Sequence, residues 1–156
     1  MTDKKFMERA IELAGKGMAS NAGGPFGAVV VKDGVIISEA SNRVTSDNDP
    51  TAHAEVLAIR EACRKLGTYT LEGCTIYTSC EPCPMCLGAI YWARPVAVVY
   101  ACDRTDAADA GFDDRFIYDE ISLDMGSRLI PFSQTMRDKA LPLFTEWREK
   151  EDAERY

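Results

Sequence analysis

No stretch of the 156-residue chain is apolar for long enough to cross a bilayer. Its opening residues, MTDKKFMERA, lack the apolar core of a secretory signal. These two absences predict a cytoplasmic protein with no membrane partner. Bases are the scarcer charge, 18 Lys and Arg against 25 Asp and Glu, for a net charge of −7. A field of that sign repels polyphosphate, and no cluster of Lys and Arg offers a local basic groove. The chain is therefore expected to bind no nucleic acid. Internal repeats, low-complexity segments and long linkers are also missing, so one domain spanning 1–156 is expected. Histidine occurs once, at position 53, and cysteine six times. In a cytosolic chain, cysteines are metal ligands or buried thiols more often than disulfides.

What is present alternates between helical and strand patterns. Residues 4–18 place Phe6, Met7, Ala10, Ile11, Ala14 and Met18 on one helical stripe, with Thr2 or Asp3 as its cap. Residues 27–32 and 35–40 read as strands joined by the hairpin signal Asp33-Gly34. The polar stretch 41–50 reads as a loop. After Asp49-Pro50-Thr51 a helical pattern runs from 52 to 66, with Val56, Leu57, Ile59 and Ala62 on its apolar side. Residues 74–79 form a short strand. Pro82 and Pro84 suit the first turn of a helix ending near Ala93. Residues 96–101 read as a buried strand and the acid-rich 103–124 as short helices and loops. Residues 129–132 read as an edge strand that tolerates Pro131, and 141–152 as a last helix. The alternation predicts an α/β fold with helices on both faces of a sheet, which the hairpin makes mixed. Cys63, Cys74 and Cys102 fall on apolar patterns and are expected to be buried thiols.

The residues that carry chemistry lie in two short stretches. His53-Ala54-Glu55 stands at the start of one helix and Pro82-Cys83-Pro84-Met85-Cys86 at the start of the next. Together they spell H-x-E and P-C-x-x-C, the pattern of zinc enzymes that deaminate nucleobases. Cysteines three apart at a helix start put both sulfurs on one face, and the positive end of the helix dipole favours their thiolates. His53 and Glu55 converge only if a helix is just beginning there, as Pro50 and Thr51 suggest. His53, Cys83 and Cys86 would hold one zinc ion per subunit. Three ligands leave a fourth position open to water, as catalytic zinc sites do. Glu55 would carry a proton from that water to a ring nitrogen, and later help protonate the departing amine. Two other readings compete. Cys80, Cys83 and Cys86 with His53 could close a Cys₃His structural site, although Glu55 and Pro82 would then have no task. The same triple resembles part of an iron–sulfur run, but a fourth nearby cysteine is missing.

At these motifs the chain resembles the cytidine deaminase-like superfamily. Over essentially its whole length it is similar to the short bacterial guanine deaminases. The likeness is carried by GGPFGAVVVKDG (23–34), NDPTAHAEVLAIR (48–60), YTSCEPCPMCLGAIYWARP (77–95) and DAADAGFDDRFIY (106–118). The first three stretches recur less closely in tRNA adenosine deaminases, whereas the fourth points to the guanine enzymes. The resemblance implies a three-layer α/β/α fold around a five-stranded mixed sheet. It implies hydrolysis of guanine at C2 to xanthine and ammonia, a step of purine metabolism. It also implies a homodimer whose C-terminal segment is exchanged with the neighbouring subunit. Residue for residue, His53, Cys83 and Cys86 would bind zinc and Glu55 would shuttle protons. Asn42 and Asp114 would hydrogen-bond the base, Phe26, Ala54 and Trp92 would line the pocket, and Tyr156 would help close it.

The residues alone leave those last roles open. Guanine presents a ring N–H and an amine side by side, and the carboxylate of Asp114 can accept from both. Most acids in a stretch such as 103–124 are simply solvated, however. Asn42 is a turn residue or a base-orienting amide. Phe26, after the bend Gly23-Gly24-Pro25, and Trp92 can each be core aromatics, and Tyr156 a frayed end. Three rival functions follow. One is a tRNA-editing deaminase, against which the net charge of −7 weighs. The others are a deaminase of cytosine or another free base, and a non-catalytic zinc-stabilised binding module with Cys80 as its fourth ligand.

Overall fold

A hairpin organises the sheet. In the computed structural model, which describes residues 3–156, strands β1 (Gly27–Lys32) and β2 (Val35–Ser41) pair antiparallel. Asp33 and Gly34 between them both have positive φ, 49° and 75°. That geometry matches the twist of the flanking strands and is one that Asp and Gly tolerate. β1 also pairs antiparallel with β3 (Cys74–Cys80), which pairs parallel with β4 (Ala97–Cys102). The order β2-β1-β3-β4 makes a mixed sheet of four strands among the described residues, not the expected five. Residues 129–132 form no ladder: Leu129 and Ile130 are exposed, and Pro131 has no N–H to donate to one. β4 is consequently an edge of this sheet. Val96 and Tyr100 are exposed, against the buried strand that the apolar run suggests. Cys102 is exposed with them and Cys63 is half-buried, so of the three expected buried thiols only Cys74 is buried.

Helix α1 (Lys4–Ala19) covers one face of the sheet. The Asp3 carboxylate caps it by accepting from the Lys5 N–H at 3.2 Å; Thr2 lies outside the described residues. The buried line is Phe6, Ala10, Ala14 and Gly17. Ile11 and Met18, expected on that stripe, are instead largely exposed. At about 100° per residue they lie roughly a quarter turn away from it. Small residues let the helix come close to the sheet: a Cβ added at Gly27 would meet the Ala10 carbonyl oxygen at 2.2 Å and the Ala14 nitrogen at 2.7 Å.

The segment 41–50 is not wholly a loop. Its middle forms one helical turn, α2 (Val44–Asp47), started by the Asn42 side-chain oxygen accepting from the Val44 N–H at 3.1 Å and ended by left-handed Asn48. Two further helices, α3 (Ala54–Leu66) and α4 (Pro84–Ala93), cover the second face. The larger core joins Ala58 and Ile59 of α3 and Ile90 of α4 to Val30 of β1 and Ile76 of β3. α3 begins two positions later than its periodicity suggests, because His53 is still extended, with φ −73° and ψ 151°. The result is a three-layer α/β/α arrangement.

The acid-rich stretch holds two short helices, as expected. α5 (Arg104–Asp109) is opened by a reciprocal capping box between Asp103 and Asp106, and α6 (Arg115–Ile121) follows. Residues up to Arg115 form one compact unit and Phe116–Tyr156 a second. In the second, α7 (Arg137–Glu149) starts before the expected position 141 and holds Pro142 in its interior. No described helix is long and apolar enough to cross a membrane.

The close seat of α1 on β1 yields a paired test. Gly27→Ala should lower stability by about 1–3 kcal/mol, read from the denaturant midpoint. Gly15→Ala, where a Cβ meets nothing within 4 Å, should raise stability by about 0.5–1 kcal/mol.

Candidate metal and catalytic site

Two helix starts supply the donors. His53 is the N-cap of α3 and Cys83 the N-cap of α4, while Cys86 is the third residue within α4. Pro84 takes the first helical position, where its missing N–H breaks no bond. Neither N-cap side chain caps its own helix. They meet each other instead: His53 Nδ1 lies 3.5 Å from Cys83 Sγ and 3.5 Å from Cys86 Sγ. The three donor atoms all fall within 4.8 Å of one another. A zinc ion at ordinary bond lengths and tetrahedral angles would set each sulfur about 3.6 Å from the nitrogen. The observed spacings fit that ion, and so does the chemistry of two sulfurs and an imidazole.

The electrostatics are those of a shared proton. The Cys86 S–H, and after it the His53 imidazole, pull the Cys83 thiol down to about 4 against the effect of its burial. The same sulfur–sulfur hydrogen bond, burial and the Glu55 charge hold the Cys86 thiol up. The hydrogen bond to Cys83 raises His53. Only a cation lets both sulfurs ionise together beside a buried carboxylate.

That carboxylate is Glu55, in the first turn of α3 and 5 % exposed. Burial pushes it above the usual carboxylate range. Its Oε1 accepts from Thr78 Oγ1 at 3.2 Å, and its Oε2 lies 3.5 Å from Cys86 Sγ. One oxygen is anchored in the protein and the other faces the donor cluster. Cys80 stands apart from that cluster. It is buried, its thiol donates to the Asp103 carbonyl at 3.6 Å, and burial raises it to about 11. This engagement weighs against Cys80 as a fourth ligand.

The candidate base contacts are placed as follows. Asn42, just past β2, is buried, and its Oδ1 accepts from the Gly24 N–H at 3.2 Å and the Val44 N–H at 3.1 Å. What it can offer a ligand is therefore its NH₂, not the full amide edge. Phe26 is half-buried and meets Phe112 edge to face, with centroids 4.9 Å apart and planes at 86°. Asp114 is partly exposed and is raised by burial first and by the Cys83 charge second, which puts it within electrostatic reach of the donor cluster. Ala54 is fully buried between His53 and Glu55. Trp92 lies in the last turn of α4, mostly exposed, and Tyr156 is exposed in the second unit. Sequence reasoning missed two residues, Thr78 and Phe112. Phe112 lay within the family-like stretch 106–118, but nothing marked Thr78 out on a strand.

Comparison with known proteins follows the same line. Residues 1–102 match the family model of the cytidine and deoxycytidylate deaminase zinc-binding region. The chain is 60% identical to guanine deaminase of Bacillus subtilis over 95% of each sequence. A solved structure of guanine deaminase from Bacillus subtilis superposes with a TM-score of 0.96 at 58% identity, covering 100% of this chain and 99% of that one. A structure of guanine deaminase from Nitrosomonas europaea gives 0.69 at 30% identity over 96% and 86% of the two chains. The tRNA-specific adenosine deaminase of Bacillus subtilis is 46% identical over 63% of this chain and 60% of its own length. Because the zinc-binding region is matched across both helix starts, and the likeness to a relative continues in sequence and backbone beyond it, the chain belongs to the cytidine and deoxycytidylate deaminase family.

Proposed function

We propose that the chain hydrolyses guanine to xanthine and ammonia. The observation that carries the chemistry is the buried Glu55 carboxylate, 3.5 Å from one sulfur of a three-donor cluster. The choice of base rests on 60% identity across 95% of both chains with a guanine deaminase. His53 Nδ1, Cys83 and Cys86 hold the zinc ion, which when bound supplies the Lewis acid that makes a water nucleophilic near neutral pH. Glu55 takes a proton from the water as it adds to C2 and delivers it to the adjacent ring nitrogen. As the C2–N bond breaks, Glu55 takes the remaining proton from the oxygen now bonded to C2 and passes it to the amine, which leaves as ammonia while that oxygen becomes the carbonyl of xanthine. Burial suits it to this work, since a poorly solvated carboxylate accepts a proton readily.

Recognition of the base is assigned to the flanking residues. Asp114 accepts from the ring N–H and the adjacent amine, and Asn42 donates its NH₂ to an acceptor on the ring. Phe26, backed by Phe112, presents an aromatic surface. Ala54 keeps the site small and Trp92 flanks it. The closing role of Tyr156, and exchange of the C-terminal segment between subunits of a single-domain homodimer, rest on the family likeness. The open edge of β4 and the exposed Tyr91 and Trp92 of α4 support association of copies. All six cysteines are free thiols, which suits a reducing, cytoplasmic setting. The tRNA-editing alternative is weaker. Likeness to such an enzyme covers 63% of the chain, and a net charge of −7 opposes a phosphate backbone.

Glu55→Gln should retain zinc by metal analysis while ammonia release from guanine falls by about 10²–10⁴-fold or more; undiminished turnover in the metal-replete variant would remove Glu55 from its role. Stripping the metal with a chelator should abolish ammonia release, and added zinc should restore it; activity that survives complete removal would rule out the zinc mechanism. Asp114→Asn sets one donor against the two N–H groups of the base, so kcat/KM for guanine should drop by about ten- to a hundredfold. An unchanged kcat/KM would return Asp114 to the solvated acids around it.

A further inference from the structure

The helix-covered face of β3 carries a hydroxyl where its neighbours are apolar. Cys74 and Ile76 point into the core beneath α3 and α4, and Thr78 follows them at the two-residue period of a strand. Thr78 is 1 % exposed. A hydroxyl that deep is costly unless paired, and its partner is Glu55, whose Oε1 accepts from Thr78 Oγ1 at 3.2 Å. The mount is firm, because Thr78 is matched with Ala28 of β1 on one side and Tyr100 of β4 on the other. The acceptor rides on the first turn of a helix and ends in three rotatable bonds. Two side chains donate to its carboxylate, the Thr78 hydroxyl to Oε1 and the Cys86 thiol to Oε2.

We propose that Thr78 is a positioning residue for the reaction: its hydroxyl fixes the rotamer and plane of the Glu55 carboxylate, so that Oε2 stays turned toward the donor cluster. This rests on the deaminase reading of the site. Thr78 is enclosed by the protein and acts through Glu55. A carboxylate free to swing would still let guanine bind, but would meet the proton to be moved in the wrong geometry.

The test compares zinc-loaded wild type, Thr78→Val and Thr78→Ser by steady-state kinetics on guanine, zinc content and crystal structures. Val keeps the shape and removes the hydroxyl, whereas Ser keeps the hydroxyl. Thr78→Val should lose about ten- to a hundredfold in kcat with KM held within about twofold. Its zinc content should match wild type, and its crystals should show the Glu55 carboxylate turned away or spread over rotamers. Thr78→Ser should recover kcat to within about threefold and return the carboxylate to its place. A wild-type kcat in Thr78→Val, an unmoved carboxylate in its crystals, or an equal loss in Thr78→Ser would each overturn the proposal. If wild type releases no ammonia from guanine, the substrate reading falls, while the carboxylate position in the crystals still decides for or against Thr78. Should Thr78→Val fail to fold, Thr78→Cys, close in size and a weaker donor, carries the same expectations.

Discussion

Cys83, Cys86 and Glu55 are crowded anions in waiting. Both sulfurs lie 3.5 Å from His53 Nδ1, Cys86 Sγ also lies 3.5 Å from Glu55 Oε2, and the Glu55 carboxylate is almost wholly withdrawn from water. Three negative charges at such spacing, in a poorly polarisable surrounding, cannot coexist unless something positive sits among them. The proton shared by the two sulfurs is one answer, and a doubly charged cation also held by His53 Nδ1 is the better one. This demand explains why the donors stand at helix starts. The unsatisfied N–H groups there add positive potential from α3 and α4, both on the same face of the sheet.

Holding that cluster still is the task of the core. Ile59 of α3 and Ile90 of α4 are packed with Val30 and Ile76, so the two helix starts cannot drift apart without opening the larger apolar cluster among the described residues. The three donors and Glu55 sit at the starts of two helices. The residues assigned to the base sit largely beyond them: Asn42 past the end of β2, Phe26 before β1, Asp114 after α5. A stiff frame with variable connections lets one reaction serve different bases. Likeness to a tRNA-specific adenosine deaminase covers 63% of the chain, whereas likeness to a guanine deaminase covers 95% of it.

The donor cluster of His53, Cys83 and Cys86 could be read from the sequence because metal ligation tolerates few residue types and few spacings. The Asp33-Gly34 turn could be read because positive φ is restrictive. Features that depend on what lies next door could not be read in the same way. Periodicity shows that α1 has an apolar stripe, but not where its centre falls, and Ile11 and Met18 were assigned to a face they only flank. The apolar run of β4 reads as buried, but burial needs a neighbour on its far side, and residues 129–132 do not supply a fifth strand. Thr78 is an ordinary residue for a strand. Its significance comes from a partner 23 positions away on another element, and no local pattern reports it.

The spacings themselves follow from where the helices begin. Inside a helix, residues two apart point in different directions, so H-x-E would scatter its side chains. His53 is extended and Ala54 begins α3, which puts the histidine at the N-cap and the glutamate at the second helical position. C-x-x-C occupies the N-cap and third position of α4, the pair that in a capping box exchanges hydrogen bonds across the first turn. Here those two positions carry sulfurs, each 3.5 Å from His53 Nδ1 and close enough for one ion to bridge them. Slide either motif one turn into its helix and the extended residue is lost, and with it the convergence. Pro84 at the first position of α4 therefore matters beyond its own ring. By fixing where the helix starts, it fixes where the sulfurs meet.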